Sequence, residues 1–147
     1  MKNILFIIVA ACSLSLLSCK EEVEVKQDYK FSLSTWELSR NIPFNRDVEI
    51  RFYLDREGDF KDATYKFSYF QVEGQGHILD TKKRGLEPRE MYDLKEISDF
   101  DGSDPYKQSF TVFFKPFAIG QAKLKFVVTD NFGKEAEVNV SFEVNMR

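Results

Sequence analysis

The chain is poor in the residues that most catalytic and metal sites require. Its 147 residues contain one histidine, His77, and two cysteines, Cys12 and Cys19. A zinc site normally needs two or three His or Cys ligands, so a protein-bound zinc ion is not expected. His77 is also the one possible base for a serine-type triad, and no Gly-x-Ser-x-Gly segment marks a nucleophile. We therefore expect no catalytic residue, no metal and no cofactor, and predict that the protein is not an enzyme.

The sequence offers neither a disulfide nor a strong positive charge. Cys12 lies in an N-terminal apolar stretch that we expect to be removed, and Cys19 follows that stretch directly, so no cysteine pair is left for a folded domain. Hydrophobic packing must then hold the fold without cross-links. The 24 acidic residues outnumber the 21 Lys and Arg residues, which gives a net charge of −3. This balance does not favour direct binding to nucleic acid.

Acidic residues are plentiful, so a hydrolase with two carboxylates stays open as a third function. Such enzymes need two acids whose surroundings drive their pKa values apart, and no acidic pair lies in an apolar stretch. The run Asp99-Phe100-Asp101-Gly102-Ser103-Asp104 also invites a calcium site. Its spacing does not fit an EF-hand loop, because Gly102 comes two positions early and position twelve is Phe110. A solvated acidic loop is the better interpretation.

The one long apolar run lies at the N-terminus and predicts an exported protein. Residues 4–17 carry no charge and follow Lys2. About 14 residues are too few to cross a bilayer stably and are typical of a signal-peptide core. The run ends in Leu16-Leu17-Ser18-Cys19, which is similar to the lipidation segment of bacterial lipoproteins. We predict cleavage after residue 18 and acyl chains on Cys19 that anchor the protein to a membrane; an ordinary secretory signal with a chance cysteine is the alternative.

A charged tether of residues 19–28 follows the predicted cleavage site. It begins Cys19-Lys20-Glu21-Glu22, which resembles the lipoprotein export signal of Bacteroides-type bacteria. That resemblance implies an outer-membrane lipoprotein whose domain is exposed at the cell surface. Extended, the nine residues after Cys19 span at most about 30 Å, enough to lift a domain off the lipid headgroups.

From residue 29 the sequence alternates between apolar and polar residues, which is the signature of half-buried strands. Six strands and a short seventh are predicted around residues 29–33, 48–54, 65–69, 77–79, 110–114, 122–128 and 136–144. Residues 80–107 are rich in turn-forming residues, although Met91, Leu94 and Ile97 fall three apart and permit a helical turn or two. Residues 29–147 are therefore predicted to form an all-β, immunoglobulin-like antiparallel sandwich of about seven strands without a disulfide.

The last two predicted strands should form a hairpin. Asp130-Asn131-Phe132-Gly133 lies between them, and its glycine can adopt the positive φ that closes a tight turn. Lys123 and Lys125 on one strand could face glutamates on the other, namely Glu135, Glu137 and Glu143. Such exposed pairs help to set the register of the two strands.

Aromatic residues that break the strand alternation are the best candidates for a partner surface. If Tyr65, Phe67 and Tyr69 face the core, Phe70 must face outward or lie at a bulge. The complete candidate set is Trp36, Tyr53, Phe70, Phe113 and Phe117. Exposed apolar patches on small domains often mark interaction sites. The alternative is that these residues are scattered singly over the surface.

Several short stretches, taken in order, carry a family resemblance. They are Glu49-Ile50-Arg51, Arg56-Glu57-Gly58, Ala63-Thr64-Tyr65, Tyr69-Phe70-Gln71 with Gly74 and Gly76, and Asp130-Asn131-Phe132-Gly133. Together with the lipidation segment they resemble the TraQ lipoproteins of Bacteroides-type conjugative transposons. The resemblance implies an immunoglobulin-like domain that takes part in conjugal transfer, and it supplies no catalytic residue. The acidic stretch around residues 98–105 is longer than the family pattern.

The sequence therefore predicts an outer-membrane lipoprotein with a membrane anchor and a protein partner. The partner is expected in the cell envelope or the conjugation machinery, and the protein would be an accessory component of conjugative DNA transfer. The alternative is a surface lipoprotein that binds glycans or acts as an adhesin.

Overall fold

The structure, a computed structural model, describes residues 30–146. The predicted signal peptide, Cys19 and the tether lie outside the described residues. The described chain contains ten β-strands and one turn of 3-10 helix, Leu94–Glu96. The strands are β1 (Phe31–Thr35), β2 (Asn41–Pro43), β3 (Val48–Arg56), β4 (Tyr65–Glu73), β5 (Gly76–Leu79), β6 (Gly85–Leu86), β7 (Tyr92–Asp93), β8 (Lys107–Pro116), β9 (Gly120–Asp130) and β10 (Glu135–Asn145).

The strands form two sheets that pack face to face. Sheet A has the order β1-β3-β8-β5-β6, and sheet B has the order β2-β10-β9-β4-β7. All neighbours are antiparallel except β2, which runs parallel to the last residues of β10. This order corresponds to strands A, B, E and D of an immunoglobulin-like domain on one sheet and G, F and C on the other. The predicted all-β, immunoglobulin-like sandwich is confirmed, and residues 30–146 contain no cysteine that could form a disulfide.

The centre of the core consists of phenylalanine rings, because the alternation directs these side chains inward from strands of both sheets. Phe52 and Phe110 of sheet A meet Phe67 and Phe126 of sheet B, and all four side chains are essentially inaccessible to solvent. Their ring centroids lie between 4.8 and 5.9 Å apart in stacked, tilted and edge-on pairs. Such aromatic pairs contribute about 0.5–1.5 kcal/mol each beyond the area that they bury. This cluster holds the two sheets in a fixed relation.

Three short strands, β2, β6 and β7, were not predicted. They have two or three residues each, which is too short for alternation to appear in the sequence. The predicted seventh strand is present as β5, although β6 rather than β5 forms the edge of sheet A. The helical periodicity between residues 91 and 97 corresponds to the single 3-10 turn, in which Leu94 is buried.

The predicted charge pairing across the final hairpin is correct for one lysine and wrong for the other. Lys125 forms an ion pair with Glu137 on β10, with 2.5 Å between Nζ and Oε2. Lys123 instead pairs with Glu73 at the end of β4, at 2.6 Å. In sheet B, β9 lies between β10 and β4, so an outward side chain of β9 can form an ion pair with a residue of either strand.

The two ends of the sandwich are formed by different segments of the chain. We define the entry end by Lys30, where the described chain begins, and by the loops of residues 57–64 and 131–134. These segments are adjacent because Glu57 N–H donates to the Lys30 carbonyl (3.0 Å) and Asn131 N–H donates to the Thr64 carbonyl (3.0 Å). Met146 lies at the opposite end, after β10. No helix among residues 30–146 is long and apolar enough to cross a membrane.

Candidate functional site

Two of the five candidate aromatic residues, Tyr53 and Phe113, lie on the outer side of sheet A. Alternation places them there, because Phe52 and Phe114 next to them are buried in the core. Phe113 is opposite Glu49 of β3 on one side and Leu79 of β5 on the other. Both rings are half-buried, so part of each is accessible to another molecule.

Trp36 and Phe117 extend the same side of the molecule. Trp36 follows β1 and its backbone N–H donates to the Arg51 carbonyl (2.9 Å), which keeps it alongside β3. Its side chain is 60% exposed. Phe117 follows β8, and its ring lies 4.8 Å from that of His77 on the outward side of β5. We call Trp36, Tyr53, Phe113 and Phe117 the aromatic face.

Lysine side chains lie over two rings of the aromatic face. The Lys107 Nζ is 4.6 Å from the centre of the Tyr53 ring, and the Lys83 Nζ is 3.9 Å from the centre of the Phe113 ring. Lys83 also pairs with Asp47 at 2.7 Å. Cations placed over ring faces are attracted by the π electrons, by about 0.5–1 kcal/mol at exposed sites. The aromatic content of the face favours contact with another protein, because Trp, Tyr and Phe are enriched at protein interfaces.

Phe70 does not join the aromatic face. It lies on β4 opposite Lys125, on the outer side of sheet B, and is half-buried. The prediction that Phe70 faces outward agrees with this position. The alternative, that Phe70 lies at a bulge, is wrong, because the register shift falls between Gln71 and Glu73. Four of the five aromatic candidates therefore lie on one side of the molecule, and Phe70 lies on the other sheet.

The acidic loop is organised by hydrogen bonds that its carboxylates accept from nearby backbone N–H groups, one of which belongs to β8. Asp99 accepts from the Thr111 N–H, Asp101 from the Ser103 N–H and Asp104 from the Tyr106 N–H, at 2.8 to 2.9 Å. Hydrogen bonds from Ser103, first from its hydroxyl and then from its N–H, hold the pKa of Asp101 below its ordinary value. Among residues 30–146 no three His, Cys, Asp or Glu side chains come together as metal ligands. Asp101 and Asp104 act as turn-forming acceptors, whereas Asp99 joins the loop to β8.

The structure also contains a site that the sequence patterns did not single out. A cavity of about 280 Å³ opens at the entry end, and Arg56 and Gln108 form part of its wall. Both residues occupy inward positions of their strands, where the alternation calls for apolar side chains. This interruption of the alternation was a signal visible in the sequence.

Comparison with known proteins agrees with this architecture. The model of the family described as TraQ conjugal transfer protein matches residues 2–145. The chain belongs to the TraQ family. A crystal structure of a conjugative transposon lipoprotein from Bacteroides eggerthii is similar to this TraQ chain, with 25% identity, a TM-score of 0.63, and coverage of 76% of this chain and 95% of that one.

Two solution structures share the TraQ fold. A lipoprotein from Bacteroides thetaiotaomicron is 23% identical, with a TM-score of 0.61 and coverage of 86% of this chain and 89% of that one. A conjugate transposon protein from Bacteroides vulgatus is 22% identical, also with a TM-score of 0.61, and the match covers 84% of this chain and 91% of that one. No curated protein matches the chain. The family therefore places this TraQ protein in conjugative transfer, and the resemblance stated from the sequence is confirmed.

Proposed function

We propose that this TraQ protein is a non-enzymatic, lipid-anchored accessory component of conjugative DNA transfer whose immunoglobulin-like domain binds another envelope protein. Membership of the TraQ family supports a role in conjugative transfer, and the aromatic face supports binding to another protein. The partner is a protein of the transfer machinery or of the surrounding envelope. No direct contact with DNA is part of the proposal, because the net charge of −3 does not favour it.

The aromatic face is the observation that carries this proposal. Tyr53 and Phe113 are held on the paired strands β3 and β8 of sheet A, so the positions of these two rings are set before a partner arrives. A rigid surface loses little conformational entropy on binding, which raises the affinity obtained from a given contact area. Trp and Tyr side chains are also over-represented among residues that dominate protein interfaces. Trp36, the most exposed of the four, is the best candidate for such an anchor.

The proposed anchor is Cys19, and the proposed location is the outer membrane with the domain facing outward. Support comes from the Leu16-Leu17-Ser18-Cys19 segment and from the Lys20-Glu21-Glu22 stretch that follows it. Two of the similar solved proteins, from Bacteroides eggerthii and Bacteroides thetaiotaomicron, are described as lipoproteins. An acylated cysteine would hold the protein at a membrane, since each buried CH₂ contributes roughly 0.8 kcal/mol.

A deletion and complementation experiment tests the process. The coding segment is removed from the transposon of a donor strain, and transfer frequency is measured with and without the intact protein supplied from a second locus. We expect a fall of at least about tenfold on deletion and recovery on complementation. Unchanged transfer in the deletion strain would contradict the proposal.

Photo-crosslinking tests binding in the same donor. A photoreactive amino acid is placed at residue 36 on the aromatic face, or at residue 72 on β4 as a control that is similarly exposed. We expect position 36 to trap a discrete protein adduct during mating, while position 72 gives none. A glycan array with the purified protein covers the alternative, and a specific glycan hit without a protein adduct would favour the adhesive function.

A further inference from the structure

The cavity at the entry end lies between two loops and the ends of three strands. Residues of the loop 57–64 and of the segment 94–105 line it. The strand ends contribute Arg56, Tyr65 and Gln108, all of which are more than nine-tenths buried. Its volume of about 280 Å³ is close to the lower end of the range for small-ligand pockets, roughly 300–1,000 Å³.

Arg56 places a buried positive charge in the cavity wall. Its side chain is 8% exposed, its Nη2 donates to the Phe60 carbonyl at 2.6 Å, and its guanidinium carbon lies 5.6 Å from the centre of the Tyr65 ring. None of the ion pairs among residues 30–146 includes Arg56. Its Nε–H has no acceptor within the described chain. A buried charge without a counter-ion is costly, so a group that supplies an anion here gains affinity.

Gln108 supplies a hydrogen-bond acceptor in the same wall. Its side chain is 9% exposed, and its Oε1 accepts no hydrogen bond from any described residue. It is paired in register with Leu54, so it belongs to the layer of the core next to Arg56. The Arg56 Nε and the Gln108 Oε1 have almost no accessible surface, so a ligand that carried an anionic group and an N–H would satisfy both atoms after their side chains turn into the cavity.

The cavity wall also contains apolar side chains, and its lining has more cationic than acidic residues. Phe60, Phe100 and Leu94 line the cavity, and two lysines, Lys61 and Lys95, lie at its edge with one acid, Asp59. Aromatic walls favour an apolar group of the ligand, whereas the cations favour a carboxylate over a neutral amide. A single buried guanidinium suits a planar carboxylate, which can accept two parallel N–H bonds from it.

We propose that this cavity binds the C-terminal residue of a polypeptide. Arg56 pairs with the terminal carboxylate, Gln108 accepts from the N–H of the same residue, and Phe60 and Phe100 pack against its apolar side chain. A free small carboxylate offers the same anionic group but lacks the N–H. The cavity lies at the end of the sandwich and not on the aromatic face, so this inference does not depend on the partner surface proposed above.

Nuclear magnetic resonance of the arginine side chains tests the proposal directly. The mature chain, residues 19–147 with Cys19→Ser, is titrated with acetyl-Gly-Gly-Phe as the free acid, as its C-terminal amide, with 3-phenylpropanoate and with inorganic phosphate. The Nε–H signal of Arg56 is assigned from its loss in Arg56→Met. We expect saturable shifts of this signal with the free acid, and binding about 10- to 100-fold weaker for the amide. The phenylpropanoate should bind more weakly than the peptide acid because it lacks the N–H.

Three variants separate binding from folding. Arg56→Met and Gln108→Leu should each abolish or weaken binding of the free acid by at least about tenfold while the melting temperature stays within a few degrees of the parent. Arg46→Met makes the same change at an exposed loop outside the cavity and should bind as the parent does. Equal responses to acid and amide, no response to either, or tighter binding of inorganic phosphate would each overturn the proposal.

Discussion

Phe52 packs against rings from both sheets, and its position shows how a single residue supports the fold. It stacks on Phe110 at 4.9 Å within sheet A and meets Phe67 and Phe126 of sheet B at 5.8 and 4.8 Å. We expect Phe52→Ala to lower the free energy of unfolding by about 3–5 kcal/mol, because the lost contacts leave a cavity. Urea denaturation followed by circular dichroism measures this change.

The control for that prediction is Phe117→Ala, which removes the same side chain where it is 43% exposed. Its cost should be no more than about 1 kcal/mol. Similar losses in the two variants would mean that the central ring cluster is not the main source of stability.

Tyr69 gives the fold a specific sensitivity to alkaline pH. Burial, with a smaller contribution from the charge of Glu87, raises the pKa of Tyr69 from 10.0 to about 12. Its hydroxyl donates to the Leu86 carbonyl at 2.8 Å. The neutral phenol is favoured in the folded state, so this contribution to stability is complete below pH about 10 and is lost as the pH rises towards about 12.

The measurement is urea denaturation of the parent and of Tyr69→Phe between pH 9 and about 12. The parent should lose stability more steeply than the variant over that interval, although the variant starts about 1 kcal/mol lower because it lacks the hydrogen bond. Parallel pH profiles would show that Tyr69 ionises alike in the folded and unfolded chains.

At the scale of the elements, the tight turn between β4 and β5 depends on a glycine. Gly74 has a φ of +77°, and a Cβ there would lie 2.7 Å from the Gln121 carbonyl oxygen and 2.9 Å from the Ala122 Cα. Both neighbours are backbone atoms of β9, so they cannot move without a displacement of that strand. We expect Gly74→Ala to destabilise the domain by at least about 1–2 kcal/mol in thermal or urea denaturation.

Gly85→Ala on β6 is the matched control. A Cβ at Gly85 has no neighbour within 4 Å, and its φ is not in the left-handed region. This variant should be as stable as the parent or slightly more so, since alanine reduces the freedom of the unfolded chain. Equal effects of the two substitutions would contradict the role assigned to the turn.

The long strands could be predicted from the sequence because their alternation reports directly which side is buried. Phe110, Val112 and Phe114, for example, are buried as the pattern indicates. The short strands at the sheet edges could not be predicted, since two or three residues carry no period. Lys123 shows a second limit: its partner, Glu73, belongs to a strand far away in the sequence. Alternation predicts on which face of a sheet a residue lies, but it does not predict which strand lies next to that residue.

At the scale of the whole molecule, the same limit applies to the candidate site. The sequence predicted which aromatic residues point outward, but not that four of them share the outer side of sheet A while Phe70 lies on the other sheet. That grouping depends on the order of strands within the sheets. The cavity at the entry end was missed because Arg56 and Gln108 are brought together only by the pairing of β3 with β8.

The proposed anchor leads to a prediction about the whole protein. Replacement of Cys19 by alanine removes the sulfur to which lipid would attach, so the protein should move from the membrane fraction to the soluble fraction. Immunoblotting of fractionated cells measures this, with Cys12→Ala as the control that should stay in the membrane fraction. Membrane recovery of Cys19→Ala equal to that of the parent would contradict lipid attachment at this residue.

The most direct test of the central proposal, that the aromatic face binds a partner needed for transfer, is a mating assay with surface variants. The double variant Trp36→Ser with Phe117→Ser removes exposed rings from the face. The control, Val72→Ser with Met91→Ser, removes apolar side chains that are 63% and 54% exposed elsewhere on the domain.

Both proteins should accumulate in the membrane fraction as the parent does. The account predicts that transfer frequency falls at least about tenfold for the first variant and is unchanged for the second. Parental transfer with the first variant, or an equal loss with both, would contradict it.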